Sequence, residues 1–302
     1  VGGIIRKSVF EFLSRVKKSD VVVLELSSFQ LDSLRAIRKS PHIAVITNIF
    51  PDHLNRYSSM AAYARSKAGI FKFQNPEDYL FINARDAVLR RIAAHASPRV
   101  IRFDPQKTLS RYRKYIPAHV PDFHLPNIAA AVAVARHFGV GERPIRRVLK
   151  GFRGIPDRME LVRNFRGISF MNDTTATNPT AAEQAVIAMK RRIGRQRLVV
   201  IAGGYDKGLP VSNFVQALVR HAATVVFLPG AASERMRSKI KKQKLKIDVS
   251  GARTMAEAVR LAYRRAKSGD VVLLSPGAAS FGLFKHEFDR GEQFVRAVRT
   301  LR

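Results

Sequence analysis

The sequence predicts an α/β fold with largely parallel sheets, and three observations support this. Short apolar runs recur along the 302 residues. Most of the runs are near-continuous in Val, Ile and Leu, which is typical of strands buried on both faces. Many segments between them, such as 181–192 and 255–266, repeat apolar residues at helical spacing. This alternation favours parallel strands joined by crossover helices.

The predicted elements divide the chain near residue 150. Strands are predicted at 20–26, 42–49, 78–83, 99–103, 168–172, 197–204, 223–230 and 270–277. Helices are predicted at 127–140 and 144–152. A turn and a new strand follow in 154–162, whereas 104–126 is irregular and predicts a loop or a hairpin. We therefore expect one domain at 1–150 and a second at 151–302.

The composition is that of a folded globular protein, since 46% of the residues are apolar. The absence of cysteine excludes disulfides, zinc–thiolate sites and cysteine nucleophiles, and it fits a reducing cytosol. No apolar run is long enough to span a bilayer, and no signal peptide is visible. We therefore expect a cytoplasmic protein that does not insert into a membrane. The start at Val1, shortly before a predicted strand, also allows the interpretation that the chain is a fragment.

The net charge of +31 allows two interpretations. One is binding to a polyanion such as nucleic acid or an anionic surface. The other, which we favour, is an enzyme with arginine-rich outer helix faces and small anionic substrates. The basic residues are spread over helices and turns, as in 85–102, 143–150, 190–197 and 237–246. No zinc-finger, zipper or aromatic-interleaved RNA signature accompanies them, so only the charge argues for nucleic acid.

A polar turn links the predicted strand at 168–172 to the next helix. Asn172 and Asp173 end the apolar run, and Asn178 and Pro179 suit the N-cap and the first helical position. Capping does not explain Asp173 or the threonines that follow it. Because ligands gather at the carboxyl ends of parallel strands, a ligand role and a purely structural role both stay open for Asp173.

Charged side chains also lie at the ends of two strands predicted in the first domain. Glu25 lies in the first of these strands, Asp52 and His53 follow the second, and Lys67 lies on the next helix. A carboxylate and an imidazole there could hold Mg²⁺, with substrate phosphates completing the coordination. Each residue alone has a simpler interpretation, since Asp52 could cap a helix and Lys67 could be a solvated charge.

Strings typical of one enzyme family run nearly from end to end of the chain. In order they are ELSSFQLD, TNIFPDHLNRY with a following Y…SK, NIAAA, DRME, NDTTATNP, AGGYDKG and LLSPGAASFGLFKHEFDRGEQF. In these strings the sequence resembles the Mur ligases, most closely the members that add D-glutamate to UDP-N-acetylmuramoyl-L-alanine. The resemblance implies a partial central ATPase-like domain with a mostly parallel sheet, followed by a C-terminal Rossmann-like α/β domain.

The resemblance also implies a reaction and its ligands. In this family ATP drives amide formation: the substrate carboxylate attacks the γ-phosphate, and the amine then displaces phosphate from the acyl phosphate. Because two anions must meet, Mg²⁺ and fixed cations have to offset their repulsion. The resemblance implies ATP and Mg²⁺ as cofactors, UDP-N-acetylmuramoyl-L-alanine and D-glutamate as substrates, peptidoglycan synthesis as the process, and a monomer.

The family's nucleotide and metal residues can be matched by position. Glu25 and His53 match metal-site residues, and His53 is also a candidate for catalysis. Lys67 matches the family's carbamylated lysine, whose added carboxylate would help to position Mg²⁺ or the acyl phosphate. Arg158 matches the residue that contacts ATP from the C-terminal domain, although it could instead pair with Glu160.

Further positions match the adenine, the ribose and the amino acid. Asn127 belongs to the adenine-side motif, Asp173 matches an acid near the nucleotide ribose, and Thr175 stands where many members have a lysine beside the nucleotide. The region that receives D-glutamate matches Thr177, Lys207, Ser280 and Phe281. Structural interpretations remain open for two of these, since Lys207 could only close the GGYDKG turn and Ser280 could only cap the last helix.

Several departures from the family pattern concern the nucleotide and the substrate. No Gly-Lys dipeptide occurs anywhere, so the family's phosphate-binding loop is absent from this sequence. We therefore expect this chain not to hydrolyse ATP alone, and we expect an incomplete central sheet with an exposed apolar edge. Smaller departures, which put adenine contacts and substrate fit in question, are Ile4, His124, Asp157, Thr175 and Gly282.

Two alternatives to D-glutamate ligation remain at this point. One is another ligase of the Mur or folylpolyglutamate type, which a panel of amino acids would separate. The other is a degenerate basic module on the same fold that binds nucleic acid or another polyanion. The charge of +31 and the missing phosphate-binding loop favour this second alternative.

Overall fold

The computed structural model describes residues 2–3, 13–51, 56–117, 120, 122–244 and 246–302, and its packing separates two units. The first unit comprises the described residues of Val1–Ile49, Tyr57–Ser110 and Pro126–Gly139. The second comprises the described residues of Phe50–Arg56, Arg111–Leu125 and Val140–Arg302. The predicted α/β class is confirmed in both units.

The first unit contains a short strand pair and a three-stranded parallel sheet. Its elements are β1 (Gly2–Gly3), β2 (Leu24–Glu25), α1 (Ser28–Ala36), β3 (Ile43–Ile46), α2 (Met60–Ala68), β4 (Tyr79–Asn83), α3 (Ala87–Ile92), β5 (Arg99–Phe103), α4 (Pro105–Leu109) and α5 (Leu125–His137). Strand β4 lies between β3 and β5. Its residues Leu80, Phe81 and Ile82 are fully buried, so the centre of this sheet is the core of the unit.

The strand predicted at 20–26 is mostly not a strand. Only β2 pairs, in parallel with β1. Val21, Val22 and Val23 are exposed, as is Glu25. Glu25 is therefore not a carboxylate at the end of a buried strand, because the apolar run before it lies at the surface. Exposed apolar side chains are present at residues 21–24, but only Leu24 of these belongs to a strand, so the expected apolar edge of the central sheet stays a prediction.

The irregular segment at 104–126 is helical where the structure describes it. After α4 come two 3₁₀ helices, Arg113–Tyr115 and Asp122–His124. Asp104 caps α4 with its side chain, and Pro105 occupies one of its first positions. Among the described residues of this segment no strand forms, so the hairpin interpretation is wrong there.

The second unit is built around a six-stranded sheet. Its elements are α6 (Glu142–Lys150), β6 (Glu160–Phe165), β7 (Ile168–Asn172), α7 (Pro179–Ile193), β8 (Leu198–Ala202), α8 (Ser212–His221), β9 (Thr224–Phe227), α9 (Ala231–Lys242), β10 (Asp248–Gly251), α10 (Met255–Arg265), β11 (Val271–Leu274) and α11 (Glu287–Arg299). The strand order is β10-β9-β8-β11-β7-β6, and only β6 runs antiparallel to its neighbour.

Both faces of this sheet are buried, which explains the near-continuous apolar strands. Along β8, Leu198 and Val200 pack into the core layer that contains α7, α8 and α9. The alternate residues Val199 and Ile201 pack into the opposite layer with α10 and α11. Because successive side chains point to opposite faces, a strand covered on both sides has no polar position.

Strand β11 lies between β7 and β8, although it is the last strand along the chain. The carboxyl ends of these three parallel strands therefore lie side by side, where ligands bind in open α/β sheets. The predicted start of α7 is confirmed: Asn178 is the N-cap and accepts a 2.8 Å hydrogen bond from the Ala181 N–H.

The boundary predicted at residue 150 stays a prediction. Helix α6, which the prediction placed at the end of the first domain, packs within the second unit. Tyr112 is fully buried, and its hydroxyl donates to Glu142 at 2.7 Å, which ties the preceding segment to α6. None of the helices in the described part of the chain combines the length and apolar character needed to cross a bilayer.

Candidate functional site

Three loops meet at the carboxyl ends of β7, β8 and β11. They are residues 173–178, 203–209 and 275–281. Backbone hydrogen bonds join them, from Asp173 N to Leu274 O at 2.8 Å, from Gly203 N to Pro276 O at 2.7 Å and from Gly277 N to Ala176 O at 2.9 Å. The sheet thus brings Asp173, Thr175, Thr177, Lys207, Ser280 and Phe281 onto one set of connected loops.

Asp173 is a buried acid at the base of these loops. Only 5% of it is exposed, and its Oδ2 accepts a 2.8 Å hydrogen bond from the Ser275 hydroxyl. Burial raises the pKa of Asp173 to about 7, against the Ser275 hydrogen bond and the positive charges of Arg158 and Arg290, which lower it. At neutral pH the carboxyl is therefore close to half protonated, so it can donate as well as accept a hydrogen bond.

Arg290, on α11, is fully buried and was not predicted as a site residue. Its Nε donates to the Thr174 hydroxyl at 3.0 Å, its Nη2 to Thr174 O at 2.8 Å and its Nη1 to Ala278 O at 3.0 Å. Burial lowers the pKa of Arg290 to about 10, while the charges of Glu287 and Asp173 raise it. One guanidinium therefore fixes the loop after β7 to the loop after β11.

The sequence carried a signal for this arginine. Arg290 precedes Phe294 by four residues and Val298 by eight, and all three lie on the buried stripe of α11. A charged residue in phase with a helix's apolar stripe indicates a buried, hydrogen-bonded charge.

Arg158 lies between two residues with left-handed backbone conformation. Asp157 has φ 63° and Met159 has φ 52°, values that L-residues rarely adopt. Asp157 is held on several sides: its Oδ1 accepts from Asn172 Nδ2 at 2.9 Å, and its carbonyl accepts from the Thr175 hydroxyl at 2.9 Å. The contacts of Asp157 with the β7 end therefore fix the turn that presents Arg158.

The alternative that Arg158 pairs with Glu160 is wrong within the described residues. Glu160 Oε2 instead accepts from the Asp157 N–H at 2.9 Å, and the Arg158 side chain is exposed. Behind it lies His124, which is 2% exposed. Burial, helped by the charge of Arg158, lowers the pKa of His124 to about 4, so this imidazole is neutral at pH 7.

The predicted amino-acid region lies on the loops after β8 and β11. Tyr205 forms a two-way backbone bridge with Ala279, and its ring lies 5.7 Å from the ring of Phe281, nearly perpendicular to it. Ser280 is buried, whereas Phe281 is 60% exposed. The alternative that Ser280 caps the last helix is wrong, because His286 occupies the N-cap of α11.

The remaining members of this group are half-buried. Lys207 lies in the GGYDKG turn, and Thr177 donates its backbone N–H to Thr175 O at 2.8 Å. Asn127, predicted on the adenine side, lies half-buried on α5.

In the first unit, the predicted metal group is described only in part. His53 lies outside the described residues, as does Asp52. Glu25 is exposed, and Lys67 Nζ, on α2, lies 5.8 Å from the centre of the Tyr63 ring. Among the described residues, no three His, Cys, Asp or Glu side chains are placed to hold a metal ion together.

A hydrogen-bond network next to Lys67 was not predicted. Asp32, on α1, accepts from the Ser66 hydroxyl at 2.8 Å and from the Tyr57 hydroxyl at 3.0 Å. These contacts fix α2 to α1 immediately before Lys67. All three residues lie in or beside the family-like strings quoted above, which gave their pattern but not their contacts.

Comparison with known proteins supports both halves of the resemblance. Residues 7–119 match the family model of the Mur ligase middle domain, and residues 157–277 match that of the Mur ligase glutamate ligase domain. The UDP-N-acetylmuramoylalanine--D-glutamate ligase of Roseiflexus sp. (strain RS-1) is 36% identical, across 99% of this chain and 70% of that protein. The enzyme of the same name from Symbiobacterium thermophilum is 35% identical, across 100% of this chain and 69% of that protein.

Solved structures with low sequence identity share the fold. MurF ligase from Thermotoga maritima in complex with ADP has a TM-score of 0.69 at 16% identity, across 93% of this chain and 67% of that one. E. coli FolC in complex with ADP has a TM-score of 0.65 at 21% identity, across 87% and 64%. The chain spans about two thirds of the length of the curated relatives it matches.

Proposed function

Because this chain belongs to the Mur ligase family, we propose that it carries the middle and glutamate-ligase domains of an ATP-dependent enzyme that joins D-glutamate to UDP-N-acetylmuramoyl-L-alanine. The observation that carries the proposal is the identity of 34–36% to enzymes of that name across nearly the whole chain. These relatives do not favour the alternatives of a folylpolyglutamate-type ligase or a polyanion-binding module.

The reaction has two steps in this proposal. The carboxylate of UDP-N-acetylmuramoyl-L-alanine attacks the γ-phosphate of ATP, which releases ADP and leaves an acyl phosphate. The amino group of D-glutamate then attacks the acyl carbon, loses a proton and displaces inorganic phosphate. Both steps bring anions together, so fixed positive charges at the site lower their barriers.

Arg158 is the proposed cation for the nucleotide. It is exposed, and the turn at Asp157 and Met159 fixes its backbone, so only its side chain has to be ordered on binding. Asp173 is proposed to hydrogen-bond the nucleotide hydroxyls, with Thr175 on the same loop and Asn127 on the adenine side. With a pKa of about 7, the carboxyl of Asp173 can supply either a donor or an acceptor.

Lys207 is the proposed partner of a D-glutamate carboxylate, with Ser280, Thr177 and Phe281 completing the amino-acid region. Support comes from the Tyr205–Ala279 bridge, which joins the loop of Lys207 to the loop of Ser280. A cation and a hydroxyl on two connected loops suit a small carboxylate ligand.

Mg²⁺ is proposed at Glu25, His53 and a carbamylated Lys67. The donor chemistry fits, because Mg²⁺ prefers oxygen ligands and the exposed Glu25 carboxylate and a carbamate at Lys67 would both supply them. When bound, the ion would offset negative charge on the reacting phosphates. A cytoplasmic location and a monomeric state are proposed on the resemblance alone.

A ligation assay with a chimera tests the function. The part of the Roseiflexus relative that this chain does not cover is joined ahead of it, and product is measured with ATP, Mg²⁺ and UDP-N-acetylmuramoyl-L-alanine. We expect turnover with D-glutamate and none with L-glutamate, meso-diaminopimelate or a folate substrate. The chain without the added part should release no ADP. Turnover with another amino acid and none with D-glutamate would contradict the proposal.

A further inference from the structure

The loop that carries Lys207 is held at its start by the neighbouring loop. Tyr205 N donates to Ala279 O at 3.0 Å, and Ala279 N donates to Tyr205 O at 3.2 Å. Gly204 makes this approach possible: its φ is +139°, and a Cβ there would lie 2.5 Å from Ala279 O. The backbone before Lys207 is therefore fixed by contacts that another residue at 204 would break.

The same loop is held at its end by Arg235, which lies on α9. One guanidinium nitrogen, Nη1, lies 2.8 Å from Asp206 Oδ2, and the other, Nη2, donates to Leu209 O. Asp206 Oδ1 accepts from the Gly208 N–H at 2.9 Å. Both carboxylate oxygens of Asp206 are thus engaged, and one guanidinium spans the turn that has Lys207 inside it.

We infer that Arg235 is a positioning residue for Lys207: it fixes the turn and holds the Asp206 carboxylate in an ion pair with its own guanidinium. Asp206 precedes Lys207 directly, so a released carboxylate would be an internal competitor for the lysine's charge. A planar guanidinium can bind a carboxylate and a carbonyl at once, which an ammonium group cannot do with the same geometry. This consequence for substrate binding rests on the proposed function, in which Lys207 receives a D-glutamate carboxylate.

A simple structural role for Arg235 makes a different prediction. If the residue only pinned α9 to the loop, then Asp206→Ala would lower the pKa of Lys207 equally in the presence and in the absence of Arg235. If it sequesters Asp206, then Asp206→Ala should change the pKa of Lys207 little in the wild type and clearly more in Arg235→Ala, because only there is the carboxylate released. The two roles therefore separate when the effect of Asp206→Ala is compared between the two backgrounds.

The primary measurement is the pKa of Lys207 in the chain itself. Lysines are dimethylated with ¹³C-formaldehyde and titrated by NMR, and the Lys207 signal is identified by its absence from Lys207→Arg. In Arg235→Ala we expect the pKa of Lys207 to rise by about half a pH unit, the effect of one new surface ion pair. In the double variant Arg235→Ala/Asp206→Ala it should return to the wild-type value. An unchanged pKa in Arg235→Ala, or an effect of Asp206→Ala that is the same with and without Arg235, would overturn the inference.

Arg237 supplies a matched control on the same helix. It too donates to a backbone carbonyl, Ser250 O at 3.1 Å, but on β10 instead of the Lys207 loop. Arg237→Ala should leave the Lys207 titration unchanged. Thermal unfolding of each variant checks that it is folded. Arg235→Lys keeps the positive charge but loses the planar guanidinium, so the pKa of Lys207 should rise less in it than in Arg235→Ala.

Titration with D-glutamate separates this inference from the proposed function. If the wild-type chain binds D-glutamate, Arg235→Ala should raise the dissociation constant about threefold to tenfold, and the double variant should recover part of the loss. Absence of D-glutamate binding to the wild type would count against the proposed amino-acid site. The role of Arg235 would still be decided by the Lys207 titration, which needs no ligand.

Discussion

The Ser275 hydroxyl donates a 2.8 Å hydrogen bond to the Asp173 carboxylate, and so joins the loop after β11 to the loop after β7. The two residues lie 102 positions apart in the chain. Asp173 also lies near the positive charges of Arg158, on the exposed turn, and Arg290, in the interior. The loops after β7 and β11 therefore meet at an acid whose pKa burial raises to about 7.

The first prediction concerns the pH dependence that Asp173 gives to stability. Burial raises its pKa from the ordinary value of 3.8 to about 7 in the folded chain. The folded state thus binds the proton more tightly, so this group's favourable contribution is complete below about pH 4 and is lost as pH rises towards 7. At about 1.4 kcal/mol per unit of pKa, Asp173→Asn should gain on the order of 4 kcal/mol over wild type between pH 4 and pH 8.

Urea unfolding of the wild type and Asp173→Asn at several pH values measures this difference. Asp122→Asn, which removes a carboxylate whose side chain is 76% exposed, is the control. Its free energy of unfolding should depend on pH in the same way as that of the wild type. If the free energies of unfolding of wild type and Asp173→Asn changed with pH in parallel, the pKa of Asp173 would not be raised on folding.

The second prediction concerns His124, whose effect has the opposite sign. Its pKa falls from 6.5 to about 4 on folding, chiefly through burial. Stability from this group is therefore present above pH 6.5 and is lost as pH falls towards 4. His124→Gln should remove that loss, on the order of 3 kcal/mol, from the acid side of the unfolding profile. Replacing the exposed His95 by Gln should leave the free energy of unfolding unchanged at every pH. If His124→Gln still lost stability steeply between pH 6.5 and pH 4, His124 would not be the cause of that loss.

The third prediction concerns the buried guanidinium of Arg290. Arg290→Met would leave the Thr174 hydroxyl and the carbonyls of Thr174 and Ala278 without their donors inside the protein. We expect a loss of about 3–5 kcal/mol in the free energy of unfolding, measured by chemical denaturation. Arg299→Met, on the exposed end of the same helix, should change it by less than about 0.5 kcal/mol. Equal effects of the two substitutions would mean that the Arg290 contacts contribute little.

The fourth prediction concerns Arg158 as the nucleotide contact. In the ligating chimera, Arg158→Ala should raise the KM for ATP about tenfold, because one charge-assisted contact is lost. Its melting temperature should stay close to that of the parent, since the side chain is exposed. Arg191→Ala, an exposed arginine on α7, is the charge-matched control. An unchanged KM in Arg158→Ala would remove Arg158 from the nucleotide site.

Local sequence predicted the second unit's sheet well and the first unit's start poorly. The runs that became β8 and β11 are apolar at every position because both sheet faces are covered. The run at 20–26 is also mostly apolar, yet only Leu24–Glu25 pairs, because strand pairing depends on a partner elsewhere in the chain. Strand β10 was missed, since it lies at the edge of its sheet and is only partly buried.

By itself, the sequence determined the α/β class, the start of α7 at Asn178, and the order of strings that indicates the Mur ligase family. These are properties of short segments, set by periodicity, capping and residue type. Only the tertiary structure decided that β11 lies between β7 and β8, that Arg290 is buried beneath the site, and that Arg235 holds Asp206. The physical reason is that a side chain's burial and charge partner are fixed by residues far away in the chain, and no local pattern records which residues those are.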